Sequence, residues 1–273
     1  MRCIPTRPPA RLVRRAIRIP PVQVTDAVLL AAAGLLAGGV NAVAGGGSLI
    51  LFPALVASGY GTLAANVTNS VALWPGYVGG VLGFRAELAG QRGRVLALSG
   101  TALLGAAGGC VLLLATPASA FDAVVPFLVL AASLLLAVQP RVATLVGPPS
   151  ADHRANAKVL YPAVGLAAVY GGYFGGALGV ILLGVLALTV HDTLRRLNGL
   201  KATLSLVVAT VTVVIFGLFG PVDWVAVAII APASLVGGFL GAKIARRLND
   251  RALRWMVVVF GVVVAGLLFV RAR

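Results

Sequence analysis

Two polar motifs at the starts of apolar stretches contain the residues of this chain best suited to bind a ligand. The sequence NVTNS places Asn66 and Asn69 three positions apart, and NGLKA gives Asn198 and Lys201 the same spacing. Residues i and i+3 share a face of a helix, so each motif directs two polar groups the same way. Asparagine supplies amide donors and lysine a positive charge, while no Asp or Glu lies deep in an apolar stretch. This combination favours an anion as the ligand.

Simpler roles are open for the same side chains. Asn66 and Asn198 could cap helix N-termini, because Asn is among the favoured capping residues. Lys201 could extend its amine to the membrane surface, since Arg195 and Arg196 are close in sequence. A capping role leaves ligand contact open, whereas a lysine at the surface would not face a central site.

Two glycine-rich stretches mark the rest of the candidate site. AGGGS at 44–48 and GGYFGGALG at 171–179 each precede an apolar segment too short to cross a bilayer. Glycine weakens a helix by about 1 kcal/mol relative to Ala, so we predict a broken helix pair at each stretch. The helix N-terminus at such a break offers unpaired N–H groups and a positive dipole to an anion. Alternatively, the glycines only allow close helix packing. Besides the four motif side chains, the candidate substrate-binding residues are Gly45, Gly46, Gly47, Ser48, Gly175 and Gly176.

The composition indicates a membrane protein. The chain has 273 residues, of which 60% are hydrophobic and 11% charged, whereas soluble domains carry about 25% charged residues. Apolar runs near twenty residues recur, and about that length crosses a hydrocarbon core. The net charge of +15 does not indicate a nucleic-acid partner, because the arginines collect in an N-terminal tail and in short loops, as the positive-inside rule expects. We predict an all-α polytopic protein in a lipid bilayer.

The sequence divides into two copies of one unit. At a shift of 132 positions Gly47 falls on Gly179 and Asn66 on Asn198. Each copy has five apolar segments, the second of them short, which predicts one broken or re-entrant helix pair in each copy. The predicted regions are a basic tail (1–25), a first membrane repeat (26–140), a cytoplasmic linker (141–157) and a second membrane repeat (158–273).

Loop charges predict that the two repeats have opposite orientations. In the first repeat the connection 85–94 is basic and 116–122 is not. In the second repeat the equivalent connection 217–223 has no positive charge, and 243–254 is strongly basic. Since basic loops stay in the cytoplasm, the pattern indicates an inverted-topology repeat, which is common in secondary transporters.

The Arg-rich N-terminus is at odds with strict inversion. A returning helix pair at the start of the first repeat puts residues 1–25 outside the cell, whereas the positive-inside rule puts them in the cytoplasm. Full crossing by residues 26–44, with 47–58 only dipping into the bilayer, would remove the conflict. The sequence is compatible with either topology.

Catalysis and metal binding are not indicated. The sequence has no nucleophile–base pair and no acidic pair, and the GGG at 45–47 is not followed by the Gly-Lys-Ser/Thr of a P-loop. His153 and His191 are far apart and have no cluster of Cys or carboxylates beside them. Cys3 and Cys110 are expected to be free thiols. We expect neither an enzyme nor a cofactor.

Several stretches resemble one known family. GLLAGGVNAVAGGGSLILFPALVASGYGTLAANVTNSVAL at 34–73 resembles the first half of the TauE/SafE family of sulfite-exporter-like membrane proteins, and LNGLKATLSLVVATVTVVIFGLFGPVDW at 197–224 resembles its second half. The resemblance covers about residues 26–270. It implies an all-α, multi-pass inner-membrane permease with about eight transmembrane helices, for sulfite, sulfonates or related organic anions. By motif it implies a path lined by Asn66, Asn69, Asn198, Lys201 and the glycines at 45–47 and 175–176.

We therefore predict a secondary transporter that moves a small anion by alternating access. One alternative is a permease for a neutral or cationic solute, although the lack of intramembrane carboxylates counts against cations. A second is a non-transporting scaffold or accessory subunit, which predicts no central cavity between Asn66 and Lys201. The sequence is also compatible with a homo-oligomer.

Overall fold

The computed structural model is helical throughout the parts of the chain that it describes, residues 18–144, 157–244 and 250–272, and contains no strand there. In chain order the helices are α1 (Val24–Val43), α2 (Ser48–Ala57), α3 (Thr62–Ala72), α4 (Trp74–Gly83), a 3-10 helix (Arg85–Leu88), α5 (Arg92–Ala115), α6 (Ala118–Thr144), α7 (Ala157–Tyr173), α8 (Leu178–Thr189), α9 (Leu194–Phe219), α10 (Trp224–Ile244) and α11 (Asp250–Ala272).

Several of these helices are long and apolar enough to cross a membrane. Within the described residues five qualify: α1, α5, α6 over Ala118–Val138, α9 and α10. The 10 residues of α2 and the 12 of α8 rise only about 15–18 Å, about half of a 30 Å hydrocarbon core. Apolar side chains such as Leu104 and Leu218 point outward, as a lipid-facing surface requires. The expected multi-pass membrane architecture is confirmed.

The first helix of each predicted repeat packs against the helix formed by the fourth predicted segment of the other. α1 lies along α10, and α7 lies along α5. Small residues make both contacts: a Cβ added to Gly237 would lie 2.0 Å from the Leu35 carbonyl oxygen, and one added to Gly109 would lie 2.0 Å from the Val169 carbonyl oxygen. Any side chain there would force the backbones apart, so these glycines serve helix packing.

The order of contacts gives the helix directions. Along α1, Gly34 meets Ile230 and Gly38 meets Ser234 of α10, so the two helices run parallel. α5 and α7 also run parallel, because Gly105 meets Gly165 and Gly109 meets Val169. In contrast, α6 and α11 run antiparallel, since Phe127 packs on Phe269 and Ser133 lies by Gly261.

Helix connections collect at two ends of the bundle. The basic end holds the α4–α5 connection (84–91) and the α8–α9 connection (190–193), which are joined by hydrogen bonds to Arg196. The opposite end holds the α2–α3 connection (58–61) and the α9–α10 connection (220–223), joined through Tyr60 and Asp223.

Residue 18 also lies at the opposite end, because the Gly61 amide donates to the Arg18 carbonyl over 2.9 Å. α2 therefore returns to the end at which α1 begins. The topology in which 47–58 only dips in from the far side of a full crossing is not the one observed. Residues 1–17 of the predicted tail are outside the described residues.

Several predicted helix boundaries need correction. Asn66 and Asn198 are not N-caps: α3 begins after Gly61 and α9 after Thr193, both of which have extended backbone. The predicted segment 66–84 forms two helices, since Leu73 separates α3 from α4 and Pro75 in the first turn of α4 has no N–H for a continuous helix. The predicted linker 141–157 is helical at both edges, and 145–156 lie outside the described residues.

Candidate functional site

The breaks of the two predicted repeats touch each other. Gly45, between α1 and α2, has a φ of +81°, and Gly175, between α7 and α8, has a φ of +74°. Glycine adopts such angles without steric cost. A Cβ on Gly45 would lie 2.6 Å from the Cα of Gly179, and one on Gly179 would lie 2.6 Å from the Cα of Gly45. The two irregular segments therefore cross backbone against backbone.

The other predicted glycines fill the crowded edges of the breaks. A Cβ on Gly47 would lie 2.1 Å from the Ala37 carbonyl oxygen, and one on Gly176 would lie 2.6 Å from the ring of Phe174. Gly46 faces the side chain of Leu136. These three glycines line neither of the cavities described below, so their contribution here is close packing.

Lys201 lies beside the crossing and is buried, with 1% of its surface exposed. Its Nζ donates to the Ala42 carbonyl oxygen over 3.3 Å, and its Cδ lies 3.5 Å from the position of a Cβ on Gly179. The last carbonyls of a broken helix lack intrahelical partners and carry negative partial charge, so the end of α1 attracts the ammonium group. The alternative in which Lys201 reaches the membrane surface is wrong.

Lys201 lines a small cavity together with Asn41, an asparagine that lies outside the two sequence motifs. Asn41 is buried in the last turn of α1, and its Oδ1 accepts a 2.7 Å hydrogen bond from the Gly47 amide. The Tyr77 hydroxyl lies next to the Asn41 amide, but Nδ2 makes no hydrogen bond of normal geometry in the described structure. The residues around this cavity are Asn41, Ala42, Gly45, Gly76, Tyr77, Gly80, Gly179, Lys201, Ala202 and Ser205.

A second cavity adjoins the first through Tyr77 and Ser205. The first cavity offers about 10 Å³ and the second about 20 Å³ to the centre of a water molecule, and one water needs about 10–15 Å³. In this conformation the first cavity therefore has room for about one water and the second for one or two. The residues around the second cavity are Ser48, Ser70, Leu73, Tyr77, Gly171, Gly175, Leu178, Ser205, Val208, Ala209 and Thr212.

Two asparagines of α3 tie the breaks together. Asn69 Nδ2 donates to Ser48 Oγ in the first break over 3.2 Å, and Asn66 Nδ2 donates to the Tyr173 carbonyl at the second break over 3.0 Å. Both side chains are buried, and both Oδ1 atoms lack a hydrogen-bond partner in the described structure. Each asparagine thus donates a hydrogen bond to a residue at one of the two breaks, Asn69 to a side chain and Asn66 to the backbone.

Asn198 lies apart from this cluster. Its Nδ2 donates over 2.9 Å to the Leu194 carbonyl of its own helix, and it lines neither cavity. The structure therefore brings Asn66, Asn69 and Lys201 to the breaks and leaves Asn198 half-buried near the basic end of α9.

Sequence reasoning also missed polar residues that line the cavities. Asn41 is an isolated polar residue within the apolar run GLLAGGVNAVAG, and that isolation was a usable signal. Ser205 and Thr212 lie 4 and 11 positions after Lys201, which places all three on one face of α9. A search for polar residues at helical spacing from Lys201 would have found both.

Comparison with known proteins covers nearly the whole membrane region. The family model described as "Sulfite exporter TauE/SafE" matches residues 30–268. The chain belongs to the TauE/SafE family. The resemblance seen in the sequence is thereby confirmed, and the chain is a membrane transporter of the TauE/SafE family rather than an enzyme.

Individual TauE/SafE relatives are distant but cover most of the chain. A "Probable membrane transporter protein" of Haemophilus influenzae is 25% identical over 231 residues, which is 85% of this chain and 89% of the relative. The "Probable membrane transporter protein YfcA" of Escherichia coli is 28% identical over 243 residues, 85% of each chain. No solved structure matches the chain significantly.

Proposed function

We propose that this TauE/SafE chain transports a small anion, namely sulfite, a sulfonate or a related organic anion. The observation that carries the proposal is the cavity beside the Gly45–Gly179 crossing, where Lys201 and Asn41 meet. Lys201 supplies a buried ammonium group, and Asn41 Nδ2 is a buried donor next to the Tyr77 hydroxyl that makes no hydrogen bond of normal geometry in the described structure. Both groups favour a ligand that is negatively charged and accepts hydrogen bonds.

The electrostatics of the crossing support an anion over a cation. Burial of an ammonium group costs free energy unless a negative group accompanies it, and an anionic ligand recovers part of that cost. The described residues that line the cavity include no Asp or Glu. α2 and α8 both begin at the breaks, so their N-terminal dipoles add positive potential near the same place.

Alternating access of two inverted halves is the mechanism we attach to this site. α1 packs parallel to α10, and α7 packs parallel to α5. A two-fold rotation that exchanges the halves would relate these two pairs, so the packing supports an inverted repeat. The small cavities fit a closed intermediate, because they leave no room for an anion of several heavy atoms. In this account the halves separate on one side at a time, and the crossing opens to that side.

Driving force can come from the membrane potential alone. Moving one charge through 100 mV yields about 2.3 kcal/mol, which corresponds to roughly a fiftyfold concentration ratio. Anion export from a negative-inside cell is therefore favourable without a coupled ion. The direction of transport that we propose is export.

The test is uptake of labelled solutes into proteoliposomes with an imposed potential. The panel contains sulfite, a short alkyl sulfonate, a neutral amino acid and a monovalent cation. Anion transport predicts sulfite or sulfonate accumulation that reverses direction when the sign of the potential is reversed. Uptake of only the amino acid or the cation would replace this proposal with the permease for a non-anionic solute.

A further inference from the structure

Hydrogen bonds and an ion pair join the first half of the chain (α1–α6) to the second half (α7–α11) at both ends of the bundle. At the basic end Arg94 of the first half donates to Asp192 of the second over 2.6 Å. Arg196 Nε also contacts Asp192, at 3.0–3.1 Å, and its guanidinium donates to the Ala89 carbonyl of the first half over 3.0 Å. Gln91 completes the contact, because its Nε2 donates to the Arg196 carbonyl over 3.0 Å.

Burial of Asp192 makes this ion pair more than a surface contact. Asp192 is 9% exposed. Burial alone would raise the pKa of its carboxyl, but hydrogen bonds from Arg196 and Arg94 outweigh that effect and lower the pKa. The carboxylate therefore stays ionised near neutral pH and links both arginines.

At the opposite end Asp223 of the second half is bonded to two residues of the first half. The Tyr60 hydroxyl of the first half donates to Asp223 Oδ2 over 2.5 Å. Thr68 Oγ1, also of the first half, accepts from the Asp223 amide over 3.1 Å. Burial and the bond to Asp223 raise the pKa of Tyr60, so the phenol keeps the proton that it donates.

The two sets of bonds occupy corresponding places in the repeats. The shift of 132 positions that takes Asn66 to Asn198 also takes Tyr60 to Asp192. At the opposite end the α2–α3 connection of the first half meets the α9–α10 connection of the second. At the basic end the α8–α9 connection of the second half meets the first turn of α5, which follows the α4–α5 connection. The two sets of bonds therefore lie on opposite sides of the Gly45–Gly179 crossing, one at the basic end and one at the opposite end.

We propose that Asp192 and Asp223 are positioning residues that hold the basic end and the opposite end closed, so that breaking either bond set opens the path on one side only. The proposal rests on the alternating-access function above. Both sets are intact together here, as expected for a state closed on both sides. Separation of the halves at one end must break the bonds of that end.

The test measures access to the cavity rather than transport. A single cysteine at Ser205→Cys, in a Cys3→Ser and Cys110→Ala background, reports the cavity that Ser205 lines. A membrane-impermeant thiol reagent is added to right-side-out or inside-out vesicles, and the labelling rate is measured from each side. Asp192→Asn should raise the rate about tenfold from the basic-end side only, and Asp223→Asn should do so from the other side only, a factor equal to roughly 1.4 kcal/mol.

Matched variants keep the result interpretable. Arg94→Gln and Tyr60→Phe remove the same bonds from the other half, and they serve where an Asp variant does not fold. Thr62→Val removes a hydrogen bond to Asp122 at the opposite end that stays within the first half. Lys243→Gln removes an exposed basic-end charge that contacts Phe239 of its own helix. Neither control should change labelling.

Two outcomes would overturn the proposal: unchanged labelling in all four bond-breaking variants, or equal increases from both sides. Because labelling needs no substrate, one-sided increases alongside failed anion uptake would reject the proposed substrate and leave the closing contacts supported. Anion uptake without one-sided labelling would reject only the assignment of Asp192 and Asp223.

Discussion

Gly45 and Gly179, which belong to different predicted repeats, approach so closely that a Cβ on either would lie 2.6 Å from the Cα of the other. The breaks of the two repeats therefore form one structural unit. Lys201, Asn41, Asn66 and Asn69 are all held against this unit by contacts with the backbone or side chains of the breaks. Changes at the crossing should affect the whole site.

Gly45→Ala should destabilise the protein strongly. The new Cβ would meet backbone atoms of Gly179, and Gly45 has a left-handed φ of +81°, so we expect a loss of about 2 kcal/mol or more. The matched control is Gly108→Ala, because a Cβ on Gly108 in α5 meets nothing within 4 Å. Thermal unfolding in detergent measures both variants. Equal melting temperatures for them would contradict the close crossing.

The two equivalent asparagines should differ in their contribution to stability. Asn66→Ala removes a buried hydrogen bond to Tyr173 in the other half, with an expected cost of about 1–3 kcal/mol. Asn198→Ala removes a bond to Leu194 in its own helix, and we expect a cost below about 0.5 kcal/mol. Chemical denaturation of the two variants provides the comparison. A larger loss for Asn198→Ala would contradict the positions described here.

Asn41→Asp tests the sign of the charge that the cavity accepts. The carboxylate keeps the shape of the side chain and an acceptor for the Gly47 amide, but it places a negative charge in the cavity that Lys201 lines. We expect anion uptake at low substrate concentration to fall tenfold or more, because like charges repel strongly at short range in a low dielectric. Unchanged anion uptake by a folded variant would place the anion elsewhere.

Acid should weaken the basic end through Asp192. Its folded pKa is lowered from the ordinary value of 3.8, so the ion pair contributes fully above that value and is lost as the pH falls through the lower folded pKa. The contribution is on the order of 1 kcal/mol, since Arg94 and Arg196 remain partly exposed. Melting temperatures of wild type and Asp192→Asn should differ by a constant amount from pH 8 to 5 and converge in stronger acid. A gap that persists in acid would contradict this origin.

The helical segments and breaks could be predicted because their signals are local. The short segments expected at 47–58 and 177–190 appear as Ser48–Ala57 and Leu178–Thr189, since apolar run length and adjacent glycines mark helix ends directly. Helix starts were less accurate. α3 begins after Gly61 and α9 after Thr193, which in both cases is several residues before the start predicted from the apolar run.

The composition of the site could be predicted only in part, because tertiary packing selects which polar residues meet. Asn66 and Asn198 occupy equivalent sequence positions, yet the first bonds across to Tyr173 and the second bonds within its own helix. Asn41 enters the cavity because α1 ends beside Lys201, a proximity between residues far apart in sequence. The repeat pattern alone does not contain that information.

The central claim is that the charge of Lys201 holds the transported anion, and flux through Lys201→Met tests it most directly. Methionine keeps the length of the side chain and removes the charge, while Lys243→Gln removes an exposed positive charge and serves as the control. In proteoliposomes with an imposed potential, we expect Lys201→Met to lower sulfite or sulfonate uptake about tenfold to a hundredfold, as for the loss of one charged hydrogen bond. Lys243→Gln should retain wild-type uptake. Wild-type anion flux through a folded Lys201→Met protein would contradict the account.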